Sequence, residues 1–135
     1  MATKVLLVED DPAIQRLYDN LFRLEGYGVA LLPDGNNVVD TAKHEKPDII
    51  LMDVMMPGRN GLDALKDLKA ERHTKYIPVI MLSAYEEDDL LFQAMQAGAN
   101  RYLVKSRLEP PEVVAIIKEV IAQQQTGKED QAQFI

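Results

Sequence analysis

The stretch DIILMDVMMPGRNG, residues 48–61, places a single carboxylate directly behind a run of apolar residues. Residues 49–52 have the composition of a buried β-strand, and Asp53 follows them at once. Pro57 and Gly58 then predict a tight turn. An acid in such a position is most often a loop residue or a helix cap. Asp53 therefore becomes a functional candidate only if other polar residues converge on it.

Four further apolar runs alternate with segments whose apolar residues recur at helical spacing. The predicted strands are 4–8, 29–32, 49–52, 79–83 and 101–104, and the predicted helices are 12–25, 34–44, 61–69, 88–97 and 110–125. Apolar strands without a polar alternation indicate a sheet that is buried on both faces, which is typical of parallel strands covered by helices. The sequence therefore predicts an α/β fold of five β-α units around a parallel sheet.

Composition narrows the class of protein. The 135 residues suit one domain, and the net charge is −7, from 22 acids and 15 bases that form no basic run. We therefore expect no direct binding to nucleic acid. The chain has no cysteine, no apolar run near the ~18 residues that span a bilayer, and no leader-like start. These features predict a cytoplasmic protein without membrane insertion, with a domain over residues 1–125 and a polar tail over 126–135.

Polar residues that follow other predicted strands are expected to lie at the same edge of the sheet as Asp53. In open α/β sheets, ligands bind beyond the carboxyl ends of the strands. The first strand is followed by Glu9 and Asp10, the fourth ends in Ser83, and Lys105 follows the fifth. Clustered carboxylates without His or Cys favour Mg²⁺, and a lysine and a hydroxyl beside them suit the oxygens of a phosphoryl group. The residues alone leave Asp53 as either a metal ligand or a nucleophile.

Separated motifs in a fixed order make one family resemblance specific. They are LLVEDDP (6–12), DIILMDVMMPGRNGLDAL (48–65), PVIMLSA (78–84) and AGANRYLVKS (97–106). With them, the sequence resembles the receiver domains of bacterial two-component response regulators, the phosphoacceptor partners of histidine kinases, from about residue 4 to residue 121. The resemblance implies a flavodoxin-like (βα)5 doubly wound sheet with strand order 2-1-3-4-5. It also implies a phosphoacceptor switch rather than an enzyme, with only slow self-dephosphorylation.

The resemblance implies a role for each residue that would contact the phosphoryl group. Asp53 matches the phosphorylated aspartate, and Lys105 matches the lysine that pairs with the phosphoryl oxygens. Ser83 matches the switch hydroxyl, and Tyr102 matches the aromatic residue that changes rotamer on activation. Together these residues imply a switch that reshapes the surface formed by the fourth helix, the fifth strand and the fifth helix.

The resemblance also implies a cofactor and a set of partners. Mg²⁺ would be held by Asp10, Asp53 and the backbone carbonyl of Met55, with Glu9 acting through a water molecule. The phosphoryl donor would be a histidine kinase or a phosphotransfer protein, and the output would pass to an unidentified protein partner. The resemblance leaves open whether phosphorylation drives formation of a homodimer.

One departure from the family pattern follows Lys105. The family usually has proline after this lysine, commonly behind a cis peptide bond, whereas this chain has Ser106. Because a cis bond without proline costs about 2.5–4 kcal/mol, we expect either a trans Lys105–Ser106 bond or a strained cis bond. The departure also keeps open a second function, in which the domain binds partners as an adaptor without being phosphorylated.

No output domain follows the predicted fold, so we expect a stand-alone switch or a relay between phosphohistidines.

Other functions of the same architecture fit the sequence less well. A flavodoxin-like electron carrier would need a hydroxyl-rich and glycine-rich phosphate loop after the first strand, where this chain has EDDPAIQR (9–16). A phosphohydrolase with an aspartate nucleophile would usually carry a second acid two residues on, where Met55 stands.

Overall fold

The computed structural model describes residues 2–126, which form one sheet and the helices around it. The strands are β1 (Lys4–Val8), β2 (Gly28–Leu32), β3 (Ile49–Asp53), β4 (Val79–Ser83) and β5 (Arg101–Val104). The helices are α1 (Pro12–Leu24), α2 (Val38–Glu45), α3 (Gly61–Ala70), α4 (Asp88–Gln96) and α5 (Pro110–Thr126). A short 3₁₀ helix, Lys105–Arg107, connects β5 to the segment that leads into α5.

All strand pairs in the sheet are parallel, and the strand order is β2-β1-β3-β4-β5. The α/β class and this order confirm the predicted flavodoxin-like architecture. In the pairing register Val8 lies beside Met52 and Asp53 lies beside Leu82. The residues that follow β1, β3 and β4 therefore meet at a single edge of the sheet, as the carboxyl ends of parallel strands do.

Alternate residues of each central strand enter two separate cores, one on each face of the sheet. On one face, residues such as Val5, Leu7, Ile49 and Leu51 pack against α1 and α5, which contribute Tyr18, Phe22, Val113 and Ile117. On the other face, residues such as Leu6, Val8, Ile50 and Met52 pack against α2, α3 and α4, which contribute Val38, Leu65 and Ala94. Burial on both faces explains why residues 5–8, 49–52 and 79–82 of these strands are all apolar.

The start of α1 follows the sequence closely. Asp11 is the N-cap, its side chain accepts from the amide of Ala13 at 2.8 Å, and Pro12 occupies the first helical turn. The start of α2 differs from the prediction, because the helix begins at Val38 and not at residue 34. The carboxylate of Asp34 instead accepts from the amide of Asn36 at 2.9 Å, which closes a turn before the helix.

No peptide bond between residues 2 and 126 is cis, so the Lys105–Ser106 bond is the trans alternative. None of the helices in this part of the chain is both long enough and apolar enough to cross a membrane. The polar tail predicted for residues 126–135 lies outside the described residues from residue 127 onward.

Candidate functional site

The carboxylates predicted to converge lie together at the carboxyl edge of the sheet. Glu9, Asp10 and Asp53 each offer an oxygen, and these oxygens lie within 4.8 Å of one another. Glu9 is only 2% exposed and Asp53 is 8% exposed, whereas Asp10 faces solvent. Two buried acids and one exposed acid therefore form a pocket that opens to solvent on the Asp10 side.

Lys105 brings one positive charge into this pocket. Its Nζ donates to Oδ2 of Asp53 at 3.0 Å and to Oε1 of Glu9 at 3.2 Å. Burial opposes the charge of the ammonium group, but the hydrogen bonds and charges of Asp53 and Glu9 outweigh it, so the pKa of Lys105 is raised above its usual value. Lys105 therefore stays protonated at neutral pH and is held between the two buried carboxylates.

Glu9 is held by its own neighbours in the chain. Its Oε2 accepts from the amide of Asp11 at 3.1 Å, and its backbone carbonyl accepts from Nε2 of Gln15 at 2.5 Å. Burial raises the pKa of Glu9, and the charge of Asp53 adds to the increase, although the Asp11 amide and Lys105 act against it. The contact from Gln15 was not predicted, because nothing in the sequence distinguishes this glutamine from others on a helix surface.

Asp53 is positioned by β3 and by the segment that follows it. Its Oδ1 accepts from the amide of Met55 at 3.2 Å, which folds the chain back beneath the carboxylate. Farther along, the amide of Gly61 donates to the carbonyl of Val54 at 2.7 Å, which joins the start of α3 to the end of β3. Asp53 is therefore fixed between a buried strand and the first turn of a helix.

Ser83 and Tyr102 are connected through the backbone of Tyr85. The fully buried Ser83 accepts from the amide of Tyr85 at 3.0 Å through its Oγ, and the hydroxyl of Tyr102 donates to the carbonyl of Tyr85 at 3.0 Å. The sequence predicted roles for Ser83 and Tyr102 but did not predict that one residue connects them. The connection depends on the path of the chain after β4, which no local pattern reports.

The donor set of the pocket fits a divalent cation. Three carboxylates face a single lysine, which leaves two negative charges without a counter-charge in a partly buried site. All of the acidic donors are hard oxygens, and Mg²⁺ is usually held by one or two carboxylates together with water and phosphate oxygens. Met55, the remaining predicted ligand, is half exposed and lies in the same turn as Asp53.

A family model for the response regulator receiver domain matches residues 5–118. This match covers most of the chain and includes Glu9, Asp10, Asp53, Ser83 and Lys105. The chain belongs to the response regulator receiver domain family.

Relatives and solved structures agree with this assignment. The phosphate regulon transcriptional regulatory protein PhoB of Escherichia coli K12 is 35% identical over 121 residues, which is 90% of this chain and 52% of PhoB. The DNA-binding response regulator MtrA of Mycolicibacterium smegmatis is 30% identical over 118 residues, which is 87% of this chain and 50% of MtrA. The chain thus spans about half the length of these curated relatives.

One of the matching solved structures contains a metal ion. The receiver domain of the sensor histidine kinase PA1611 from Pseudomonas aeruginosa PAO1 was solved with a magnesium ion coordinated in its active-site cleft. It matches with a TM-score of 0.81 and 32% identity, over 90% of this chain and 99% of that domain. A response regulator from Chloroflexus aurantiacus matches with a TM-score of 0.83 and 30% identity, over 90% and 99% of the two chains.

Proposed function

We propose that this domain accepts a phosphoryl group on Asp53 and acts as a switch for a protein partner. The observation that carries the proposal is the contact of Lys105 with Asp53 inside a group of three carboxylates. A structural ion pair would need only one acid, whereas here a single lysine is shared by two buried acids. The pocket thus retains negative charge for a cation and holds a lysine where phosphoryl oxygens would lie.

The proposed reaction is a transfer from the phosphohistidine of a histidine kinase or a phosphotransfer protein. An oxygen of the Asp53 carboxylate attacks phosphorus in line, the bond between phosphorus and the histidine nitrogen breaks, and its electron pair stays on the imidazole. The pre-formed position of Asp53 favours this attack, since positioning supplies much of the rate in phosphoryl transfer. Lys105 then pairs with the phosphoryl oxygens, which carry about two negative charges near neutral pH.

We propose that the site holds Mg²⁺ through Asp10, Asp53 and the backbone carbonyl of Met55, with Glu9 acting through a water molecule. When bound, the ion supplies positive charge for the phosphoryl oxygens. The charge balance of the pocket and the magnesium ion in the receiver domain of PA1611 both support this assignment. Glu9 suits an indirect role because it already pairs with Lys105 and with the Asp11 amide.

We infer that the switch runs from Ser83 to Tyr102 through Tyr85. A phosphoryl group on Asp53 offers Ser83 a charged acceptor, and turning the hydroxyl towards it weakens the bond from the Tyr85 amide. Any movement of Tyr85 also changes the carbonyl that holds the Tyr102 hydroxyl. Tyr102 lies on β5 and lines a cleft together with residues of α4, so the two states differ in the surface formed by α4, β5 and α5.

The donor protein would dock beside Lys105. A cleft of about 290 Å³ lies there, between α1 and the segment before α5, and its wall includes Ile14, Leu17, Leu108 and Pro110. Leu17 is 43% exposed although it lies on the apolar side of this cleft. An apolar surface next to the phosphoacceptor suits a partner helix that carries the phosphohistidine.

The first experiment is intact mass spectrometry after incubation with Mg²⁺ and phosphoramidate. The expected result is the gain of one phosphoryl group in the wild type, dependent on Mg²⁺ and absent from Asp53→Asn. Ser83→Ala is a useful second variant, because it should still accept the group on Asp53. A wild type that gains no mass from phosphoramidate or from a phosphorylated kinase would overturn the proposal and favour an adaptor that works without phosphorylation.

Several expectations from the sequence stay predictions. They are the domain over residues 1–125, the stand-alone arrangement, homodimerisation, cytoplasmic location, slow self-dephosphorylation and the lack of direct nucleic-acid binding. PhoB and MtrA are named as transcriptional or DNA-binding regulators, and that description applies to proteins about twice the length of the matched region. An electron-carrier function has no support in the acidic segment that follows β1.

A further inference from the structure

A second pocket lies at the opposite end of the sheet from Asp53. It has a volume of about 300 Å³ and lies between the end of α2 and the loop from α3 to β4. Its apolar wall is formed by Ala42, Pro47 and Ile77, and its remaining lining residues are Lys43, Lys46 and His73. The described residues that line it include no acid, although the whole chain carries a net charge of −7.

The positive charges of this pocket are only partly compensated. Glu71 serves both neighbouring bases, since its Oε1 lies 2.7 Å from Nδ1 of His73 and 3.7 Å from Nζ of Lys43. The exposed side chain of Lys46 has no ion-pair partner within residues 2–126. Glu71 therefore faces two lysines, and His73 adds a hydrogen-bonding side chain, so the lysines leave excess positive charge that attracts negative charge.

Lys46 has a backbone conformation that glycine would adopt more easily. It is the C-cap of α2, and its backbone is left-handed, with φ of 50° and ψ of 56°. Glycine adopts this conformation without the steric cost that a side chain brings. The long basic side chain thus lines the pocket from a backbone conformation that glycine would adopt at lower cost.

We propose that this pocket binds an acidic segment of a partner protein that carries one apolar anchor residue. The anchor would occupy the apolar wall, and flanking carboxylates would pair with Lys43, Lys46 and His73. A free phosphate would use the charges without the apolar wall, and a nucleic-acid backbone offers no apolar side chain to insert. The cleft beside α4 would disfavour the same segment, since Glu86, Glu87 and Asp88 line it. The base that also lines it, Arg107, is paired with Glu86.

This inference goes beyond the proposed phosphoacceptor function and does not depend on it. The pocket lies at the amino ends of β3 and β4, whereas Asp53 lies at the carboxyl end of β3. An acidic segment bound here would leave the cleft beside Lys105 free. The domain would then hold one partner by charge and an apolar anchor while it exchanges phosphoryl groups with another.

The test uses a fluorescein-labelled hexapeptide with five acidic residues around one leucine. Its binding is measured by fluorescence anisotropy, and its site is mapped from amide shifts in ¹H–¹⁵N spectra of the full chain. We expect shifts at Lys43, Lys46, His73 and Ile77. We also expect Lys46→Glu to weaken binding by about five-fold or more, because a favourable contact becomes a repulsive one.

Two further variants separate local contacts from net charge and from folding. Lys66→Glu makes the same charge change at an exposed position on α3 that lines a different cleft, and it should change affinity less than two-fold. Lys46→Gly should weaken binding while the thermal midpoint stays the same or rises, since glycine suits the left-handed backbone. A hexapeptide with alanine in place of leucine should bind more weakly than the parent.

Each of the following results would overturn the proposal. Equal losses in Lys46→Glu and Lys66→Glu would reduce the effect to net charge. Amide shifts confined to another surface would place the peptide elsewhere, and lack of binding at low ionic strength would remove the site. Tighter binding of inorganic phosphate or of a short DNA duplex at the same residues would assign the pocket to a different class of ligand.

Discussion

Gly61 approaches the backbone of Asp53 so closely that no side chain fits between them. A Cβ atom at Gly61 would lie 2.2 Å from the Asp53 carbonyl oxygen and 2.9 Å from the Cα of Val54. These neighbours are backbone atoms of the last residue of β3 and of the buried residue after it, which cannot move aside as a flexible side chain can. The first residue of α3 therefore packs directly against the backbone at the acid-bearing end of β3.

We predict that Gly61→Ala destabilises the protein by about 1–3 kcal/mol, the usual range for overpacking. It should also slow phosphoryl uptake, because β3 or α3 must shift. Gly28→Ala is the matched control, since the nearest atom to its added Cβ is 4.0 Å away. Urea unfolding and the rate of mass gain with phosphoramidate measure the two effects. Equal stability of the two variants would contradict the close approach.

Replacing Lys105 should separate metal binding from phosphoryl uptake. Lys105→Met removes a cation that competes for Asp53, so Mg²⁺ affinity measured by calorimetry should rise about three- to ten-fold. Phosphoryl uptake should fall at least about 100-fold, because a charged donor to the transferred group is lost. Lys66→Met, on the exposed side of α3, should leave both quantities unchanged. A decrease in Mg²⁺ affinity would show that Lys105 supports the metal site instead of opposing it.

The raised pKa of Glu9 predicts a dependence of stability on pH. Burial makes the ionised side chain costly, so the native state binds this proton more tightly than the unfolded state does. The cost is absent below the unfolded pKa of about 4.5 and reaches its full size once the pH exceeds the raised pKa. Glu9→Gln keeps an acceptor for the Asp11 amide and should therefore stabilise the metal-free protein at pH 7.

Unfolding in urea between pH 4 and pH 8 checks this prediction. The stability difference between Glu9→Gln and the wild type should shrink as the pH falls towards 4.5. Glu87→Gln makes the same change of charge at an exposed position and should show a much smaller difference. A Glu9→Gln variant that loses stability at pH 7 would mean that the pairing of Glu9 with Lys105 outweighs its burial.

The connection from Ser83 to Tyr102 through Tyr85 can be tested by replacing Tyr102. Tyr102→Phe removes one hydrogen bond to the Tyr85 carbonyl and should cost about 0.5–1.5 kcal/mol of stability. Phosphoryl uptake should be unchanged, since Tyr102 does not touch Asp53. The amide shifts that phosphorylation causes in α4 and β5 should become smaller. Tyr76→Phe, at a residue that is 78% exposed, controls for loss of a hydroxyl. Phosphorylation-induced amide shifts of wild-type size in Tyr102→Phe would refute the connection through Tyr85.

Local pattern was sufficient to predict much of the fold. Unbroken apolar runs identified β1, β3 and β4, because strands buried on both faces cannot alternate with polar residues. The start of α1 was predicted from Asp11 and Pro12, since capping depends on neighbours in sequence. The start of α2 was misplaced, because the turn closed by Asp34 lies in a segment whose composition also suits a helix.

Sequence by itself determined which residues reach the acidic edge, because every parallel strand delivers its carboxyl end to the same side of the sheet. Tertiary structure decided how they are used: that Lys105 is shared by Asp53 and Glu9, and that Tyr85 joins Ser83 to Tyr102. It also assembled Lys43, Lys46 and His73 into one pocket. These contacts join residues that are distant in the chain, and their distances depend on how whole elements pack, which no local pattern encodes.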